Sequence, residues 1–582
     1  MTRFTHTQHS FANGEISRDF FGRGDLVPLA RGCSALQNMD ILPSGGITRR
    51  VGTSRLFECP PDARLINFSV SANENYLLIL SDRKMQISDG ENIIQELITP
   101  WNTDGIKQVQ FTQRFDTMIL VHKNHRPMIL QKSPNNQFAL SDFRFANEDS
   151  SFNRHKFPFI RFPNTERVAL NVSSIPQHTI RFTVTASALI WTPAHIGAIL
   201  IINGVKCQIA EFTNAHTVIV ICTDQGFSPG TSINDWFEVA FSNARGWPSS
   251  VAFHQNRLVF GGSRDFPAGI WMSRTGDHFN FDVGTGLDDE AIFLTLLSDK
   301  RQQVCTIVSG GNLQILTNTG EWAIQANPLT PTNINVRMHT NVGSKSDIYL
   351  APQRIEGQTV FVSRDGKQIR ELVLDDLNFT YSATDLCAFA SHLMTGPADM
   401  AFHNKLNRLF VVQDDGTIAT LTKIAPLEIH GWASYKTDGM FKSVAVMRDI
   451  IYVIAHRASG TYVEKFDVNA VLDSGEYGFT HTAAGLPLFT HGANIPGKIR
   501  INKLSARVLE TRSLCFYVDG RTERAQLPNK VLGLGADGFT GDVGINLIGI
   551  SNDALNPTWT IMGDDALPTT VLSVTTEGRY SI

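Results

Sequence analysis

Short runs of alternating apolar and polar residues, each closed by Gly, Asp, Asn or Ser, recur along the chain. Alternation with a period of two marks half-buried strands, and a Gly between two such runs supplies the positive φ at which they reverse. Paired runs stand at Tyr76–Gln86, Thr117–Leu130, Arg257–Met272, Leu313–Ile324, Val360–Leu372, Leu409–Leu421 and Ile451–Phe466. The stretch 246–282, GWPSSVAFHQNRLVFGGSRDFPAGIWMSRTGDHFNFD, shows the style at its densest. These pairs are spaced by about 40 to 55 residues, apart from one long gap before Arg257, which is the period of a β-propeller with about four strands per blade. No WD or kelch signature accompanies the repeat. The pattern alone carries the reading, against a chain of β-sandwiches as the plainer arrangement.

The long gap holds its own short β runs (TIRFTVTASALIW, HIGAILIING, HTVIVICT), the sign of a small β domain inserted between blades. Beyond about Asn469 the style changes to Gly-rich loops between strands such as SLCFYVDG and TTVLSVTTEG. The fold expected is therefore mainly β: a degenerate β-propeller with an inserted small β domain and a C-terminal β domain. The divisions are 1–60, an N-terminal extended arm or platform segment; 61–167, the first blades; 168–245, the insertion; 246–468, the remaining blades; and 469–582, the C-terminal β domain. Helix signals are few, the best being Thr384–Leu393 and a short piece near Asp25–Met39.

At 582 residues the chain exceeds what one core usually serves. A hydrophobic share of 42% with 18% charged residues is ordinary for a globular protein and argues against long disorder. The formal net charge of -4 gives no overall basic footprint for tight nucleic-acid binding. The opening MTRFTHTQHSF has no apolar core of signal-peptide length. The most apolar stretch, around Ala188–Ile202, is broken by Thr192, Pro193 and His195, so no membrane span is expected. Seven dispersed cysteines without a C-x-x-C pair point to reduced thiols, not to a disulfide framework or structural zinc. Synthesis in the cytoplasm follows.

Several motifs imitate chemistry. Gly533–Gly538 fits G-x-G-x-x-G, but the sequence after it cannot start the helix that a dinucleotide site needs, and a turn-rich loop is the reading. Arg23-Gly24-Asp25 reads as a tight turn with solvated charges. His6/His9 and His122/His125 have metal-like spacing without a carboxylate or thiol companion and read as surface histidines. Asp288-Asp289-Glu290 lacks the alternating oxygen ligands of a calcium loop, and Asp414-Asp415 reads as a hairpin turn. Trp271, Trp322 and Trp432 lie in or beside strand patterns and read as core. No nucleophile elbow, H-E-x-x-H or P-loop is present. No catalytic residue, cofactor or metal site is expected, although a glycosidase carboxylate pair would be invisible to sequence spacing.

The stretch Phe11–Thr53 resembles the opening of the tail nozzle proteins of short-tailed bacteriophages, also called tail tubular protein B or stabilisation proteins. The matching positions are Gly14, Glu15, Ser17, Gly22, Arg23, Asp25, Leu26, Asn38, Pro43, Gly45, Gly46, Arg49, Arg50, Gly52 and Thr53. The likeness continues through Phe111-Thr112-Gln113, His122–Pro127, Gly246-Trp247-Pro248, Phe253, Gln255–Leu258, Gly261-Gly262, Trp271, Ser273, Gly276 and Phe279–Asp282. It goes on through Glu321-Trp322, Thr330–Asn333, Arg370–Leu372, Asp414–Thr417 and Thr437–Gly439, and so covers most of residues 11–470. Two departures are Val51, where a proline is usual, and His254, where a bulky or acidic residue is common.

The resemblance implies a non-enzymatic virion component of the phage tail. Its expected partners are five further copies in a homohexamer, the head–tail adaptor ring above it, tail fibres or spikes beside it, and genomic double-stranded DNA passing through without sequence-specific binding. It would retain the packaged genome and guide its ejection. The glycine- and proline-rich opening then reads as an arm packed on a neighbouring subunit or the adaptor, with Arg49 and Arg50 making polar contacts there; an edge strand completing the same chain's propeller is the plainer alternative. Two other functions stay open: a propeller enzyme degrading host polysaccharide, and a receptor-binding tail-tip module using the inserted domain.

Overall fold

Each alternating pair becomes the middle of a four-stranded antiparallel blade, because an apolar hairpin gains a third and fourth strand until both of its edges are paired. A computed structural model describes residues 2–21, 23, 25–148, 154–172, 181–222, 230–375, 377–487, 498–518, 521–527, 538–552 and 558–581. Six of the sheets are local in sequence: 64–98, 110–142, 250–295, 304–340, 353–385 and 397–435. The seventh joins Met440–Met447, Ile450–Arg457 and Gly460–Phe466 to Thr53–Glu58, so an N-terminal strand closes the last blade. The result is a seven-bladed β-propeller. The first strand of each blade stands innermost, and the first strand of blade 7 meets that of blade 1.

The blades adhere through one apolar cluster at each junction. Leu65, Leu77 and Ile79 of blade 1 pack on Met447, Ile454 and Val463 of blade 7. Leu78, Met85 and Phe68 face Met118 and Leu120 of blade 2. Val259 and Ile270 of blade 3 meet Ile307, Ile315 and Trp322 of blade 4, and Phe410 and Val412 of blade 6 meet Phe441 and Val453 of blade 7. Burial on both faces explains why the central strands read as nearly unbroken apolar runs. At the 413–417 turn Gly416 has φ +83, and Asp415 accepts from Thr417 N (2.9 Å) and Thr417 Oγ1 (2.7 Å), the turn chemistry expected of Asp414-Asp415.

The insertion between blades 2 and 3 is an eight-stranded sheet from Phe159–Ile160 to Trp236–Val239. It begins before residue 168, because Phe159–Ile160 pairs with Trp236–Val239 and must be counted with it. Trp191, Trp236, Phe162 and Leu200 fill its interior.

The sequence divisions 1–60 and 469–582 do not survive as separate units. Thr2–Gln8 pairs along Thr570–Ser581, Gly32–Gln37 along His481–Gly485, and Ile47–Arg49 with Thr570 and Val571. The opening is thus woven into the C-terminal strands and is not a free arm; an unpaired backbone edge is costly, and the two chain ends supply each other's partners. Gly14 also pairs in parallel with Trp432, which makes the outer strand of blade 6 continuous with this terminal assembly. Gly14 has φ +63, and a Cβ there would lie 2.2 Å from Trp432 O, so no other residue fits. The two expected helices are absent. Residues 384–393 form a strand end, a turn and one 3-10 turn, since Leu386, Cys387 and Ala390 must all reach the blade 5/6 core. Near 25–39, a 3-10 turn at Val27–Arg31 runs straight into the strand Gly32–Gln37.

Candidate functional site

Three places bear on function: the propeller axis, the junction of propeller and terminal sheets, and the surface motifs. The axis is filled by the link from blade 4 to blade 5, which crosses the ring. Tyr349 N donates to Lys107 O (2.8 Å), and the Tyr349 ring lies under the Arg64 guanidinium, 5.3 Å away, and edge-on to Phe111. Arg64, on the innermost strand of blade 1, donates to Ile106 O (3.1 Å) and Val109 O (2.9 Å). Gln110 Nε2 reaches Cys305 O of blade 4 at 2.5 Å. What remains on one side is a cavity of about 210 Å³, lined by Arg64, Lys107, Tyr349, Asp399, Lys442 and Ser443 among others.

Asp399 accepts from Ser443 Oγ (2.5 Å), Val444 N (3.1 Å) and Met400 N (2.9 Å). Burial pushes its carboxyl up despite Arg64 and these donors, and burial likewise pushes Arg64 down. The cavity has room for water but none for a duplex, whose major groove alone is about 12 Å wide.

The junction is built on Arg50. Its guanidinium donates to both oxygens of Asp473 (2.8 and 2.7 Å), to Asn38 Oδ1 (2.9 Å) and to the carbonyls of Val51 (2.9 Å) and Lys436 (3.0 Å). Both partners of the pair are buried, at 1% and 0% side-chain exposure. Burial alone would raise Asp473, but Arg50 outweighs it and holds the carboxyl below its ordinary value. Alongside runs a second buried pair, Arg457 with Glu464 (3.0 and 2.6 Å), whose carboxylate also takes Thr53 Oγ1 (2.5 Å) and Ser474 Oγ. Thr437 bridges the two by donating to Asp473 and accepting from Arg457.

Arg49 donates to Val471 O (2.8 Å), and burial together with Arg50 lowers it to about 10. The two guanidinia lie 4.0 and 3.7 Å from the Phe479 ring centroid. Arg49 and Arg50, expected at a contact with another chain, are thus engaged inside this one. A guanidinium has five donors and is tolerated in a core when they are satisfied, as those of Arg50 are, a condition that a sequence cannot display.

The remaining motifs resolve into structure. Glu290 is capped by the amides of Thr285 (2.7 Å), Gly286 (2.6 Å) and Leu287 (2.8 Å), while Asp289 pairs with Arg274. Arg23 holds Asp25 at 2.8 Å in an exposed turn. Trp271, Trp322 and Trp432 are buried, and Trp432 Nε1 donates to Leu386 O (2.8 Å). His122, read as a surface group, is buried; its ring lies 5.1 Å from His125, and burial first, then His125 and Lys123, lowers it to about 4. All seven cysteines are buried. No cluster of His, Cys, Asp and Glu suited to a metal ion occurs among the described residues. Gly533–Asp537, Gly22 and Gly24 lie outside the described residues.

No family model and no curated protein matches the chain. Among solved structures it is similar to the Neurospora crassa Pan2 WD40 domain (10% identity, 72% of this chain and 94% of that one, TM-score 0.32). It is similar also to the Myceliophteria thermophila Cps50 (Swd1) β-propeller domain (8% identity, 72% and 100%, TM-score 0.36), and to YCF48 bound to D1 peptide (9%, 75% and 99%, TM-score 0.34). No helix among the described residues is long and apolar enough to cross a membrane.

Proposed function

We propose that this chain is a structural, non-enzymatic component of a short-tailed phage virion: the nozzle subunit, six copies of which form a ring below the head–tail adaptor. The ring extends the DNA channel, retains the packaged genome and guides its ejection, and it carries fibres or spikes on its outside. The observation that carries the reading is the long ordered resemblance, together with where its residues fall. Gly14, Asn38, Arg50, Gly52 and Thr53 all build the junction, where a Cβ at Gly52 would lie 2.1 Å from Leu472 O. Residues with such narrow tolerances are the ones two chains share when they share an architecture.

The filled axis supports a ring of copies. A single propeller offers a duplex no passage, so a conduit has to be walled by several chains, each presenting an outer surface to the bore. The near-neutral composition suits that role: DNA carries one charge per ~1.7 Å of axis, and a bore continuously lined with Lys and Arg would hold the genome back. Mixing the purified chain with its adaptor ring tests the proposal. A stoichiometric complex with six-fold symmetry supports it, and a chain that stays apart from the adaptor overturns it.

A further inference from the structure

The four long strands Thr2–Gln8, Thr570–Ser581, Lys498–Thr511 and Phe539–Asn552 lie side by side in that order. One face of this sheet is apolar and packs inward through Phe4, Val574, Leu504, Ala506 and Val543. The opposite face is polar. Register places Arg3 directly opposite Arg579, and Arg579 directly opposite Arg500, so three guanidinium side chains stand in one row across three adjacent strands. All three residues are exposed, and none forms an ion pair among the described residues.

Strands are about 4.8 Å apart, so the row spans roughly 10 Å. Like charges directly opposite one another destabilise a sheet, and no ion pair compensates them among the described residues. The two carboxylates on the same face are already taken, Glu577 by Lys503 (3.0 Å) and Asp542 by Arg507 (2.8 Å). An excess of positive charge therefore faces solvent on a chain whose formal net charge is -4.

We infer that this face binds the phosphate backbone of a double-stranded polynucleotide without reading its sequence. The groups beside the row select that partner. Thr5, Thr7, Thr575, Ser505 and Asn546 occupy outward positions, and hydroxyls and amides with arginine are the side chains that position phosphates. Protein interfaces centre on aromatic and apolar anchors, and single strands need rings for base stacking. Among the described residues, no aromatic side chain stands on this face. The inference adds to the conduit reading the surface that meets the duplex, and rests on that reading for the duplex being threaded past it. A short row, in place of a continuous stripe, gives contacts weak enough to break as DNA moves.

The test is fluorescence anisotropy of the full chain with a labelled 30-base-pair duplex of mixed sequence, between 50 and 200 mM salt. Three phosphates neutralised correspond to a slope of about −2.7 in log K against log salt, or about a 40-fold loss over that range. The triple variant Arg3→Gln/Arg500→Gln/Arg579→Gln is expected to bind about tenfold or more weakly at 50 mM with a flattened slope, while Arg354→Gln, on blade 5, leaves both unchanged. Poly-glutamate and inorganic pyrophosphate serve as competing probes and are expected to displace the duplex poorly. Unchanged binding by the triple variant, no duplex binding at 50 mM, or preferential capture of poly-glutamate overturns the inference, the last in favour of an acidic protein partner. Because the assay needs no particle, it can fail while the nozzle reading stands, and the reverse.

Discussion

Arg50 and Asp473 are 423 positions apart in the chain, yet they form a fully enclosed ion pair at the junction. Removing one member of a buried pair strands the other, a loss of about 3–5 kcal/mol. Asp473→Ala is therefore expected to loosen the terminal sheets, seen as faster hydrogen exchange in His481–Gly485, whereas Asp473→Ala with Arg50→Met is expected to restore most of the protection. Equal exchange in the single and double variants would mean that the pair does not hold the junction. Two buried imidazoles give a pH signature. His122 and His481 are each lowered to about 4, in both by burial first, then by His125 and Lys123 in one case and by Arg49 in the other. Between pH 6.5 and 4 the unfolded chain takes up protons that these folded rings do not, so stability falls as pH falls, by up to about 3 kcal/mol for each ring. The thermal midpoint should drop across that window, and His122→Gln/His481→Gln should flatten the drop. A pH profile identical in the variant would exclude these groups as its source.

At the scale of elements, Thr53–Glu58 decides whether the ring is closed. Truncation of residues 1–52 is expected to expose the edges of the terminal sheets while the 440–466 hairpins stay protected from exchange. Truncation of 1–58 is expected to open blade 7, because its third strand loses its partner and Leu56 and Phe57 leave the blade 7/1 cluster. If both truncations protect 440–466 equally, the N-terminal strand is not the clasp. This contrast also marks how far the sequence could be read. All seven alternating pairs are middle strands of blades, since a hairpin closed by its own turn is a local object and its pattern survives folding. The clasp, the pairing of Thr2–Gln8 with Thr570–Ser581 and the weaving of the two ends are not local, and no periodicity announces a partner hundreds of residues away. The same holds for the sites. Arg49 and Arg50 stood out in the sequence, but their partners did not, and the row Arg3, Arg579, Arg500 exists only once three separate strands are in register.

At the scale of the molecule, the propeller is closed on its own axis and bound to the terminal sheets twice, by the shared strands beyond blade 6 and by the Arg50–Asp473 and Arg457–Glu464 network beside blade 7. A body with two such attachments transmits load between its parts without bending at a single hinge, a property that the proposed role as a conduit wall would use. The most direct measurement is electron cryo-microscopy of the intact particle at a resolution that separates blades. Six seven-bladed propellers arranged coaxially around the DNA exit path, with the polar face of the terminal sheet turned to the bore, are the expected result. Propellers found off that axis, on the fibres or absent from the particle, would contradict it.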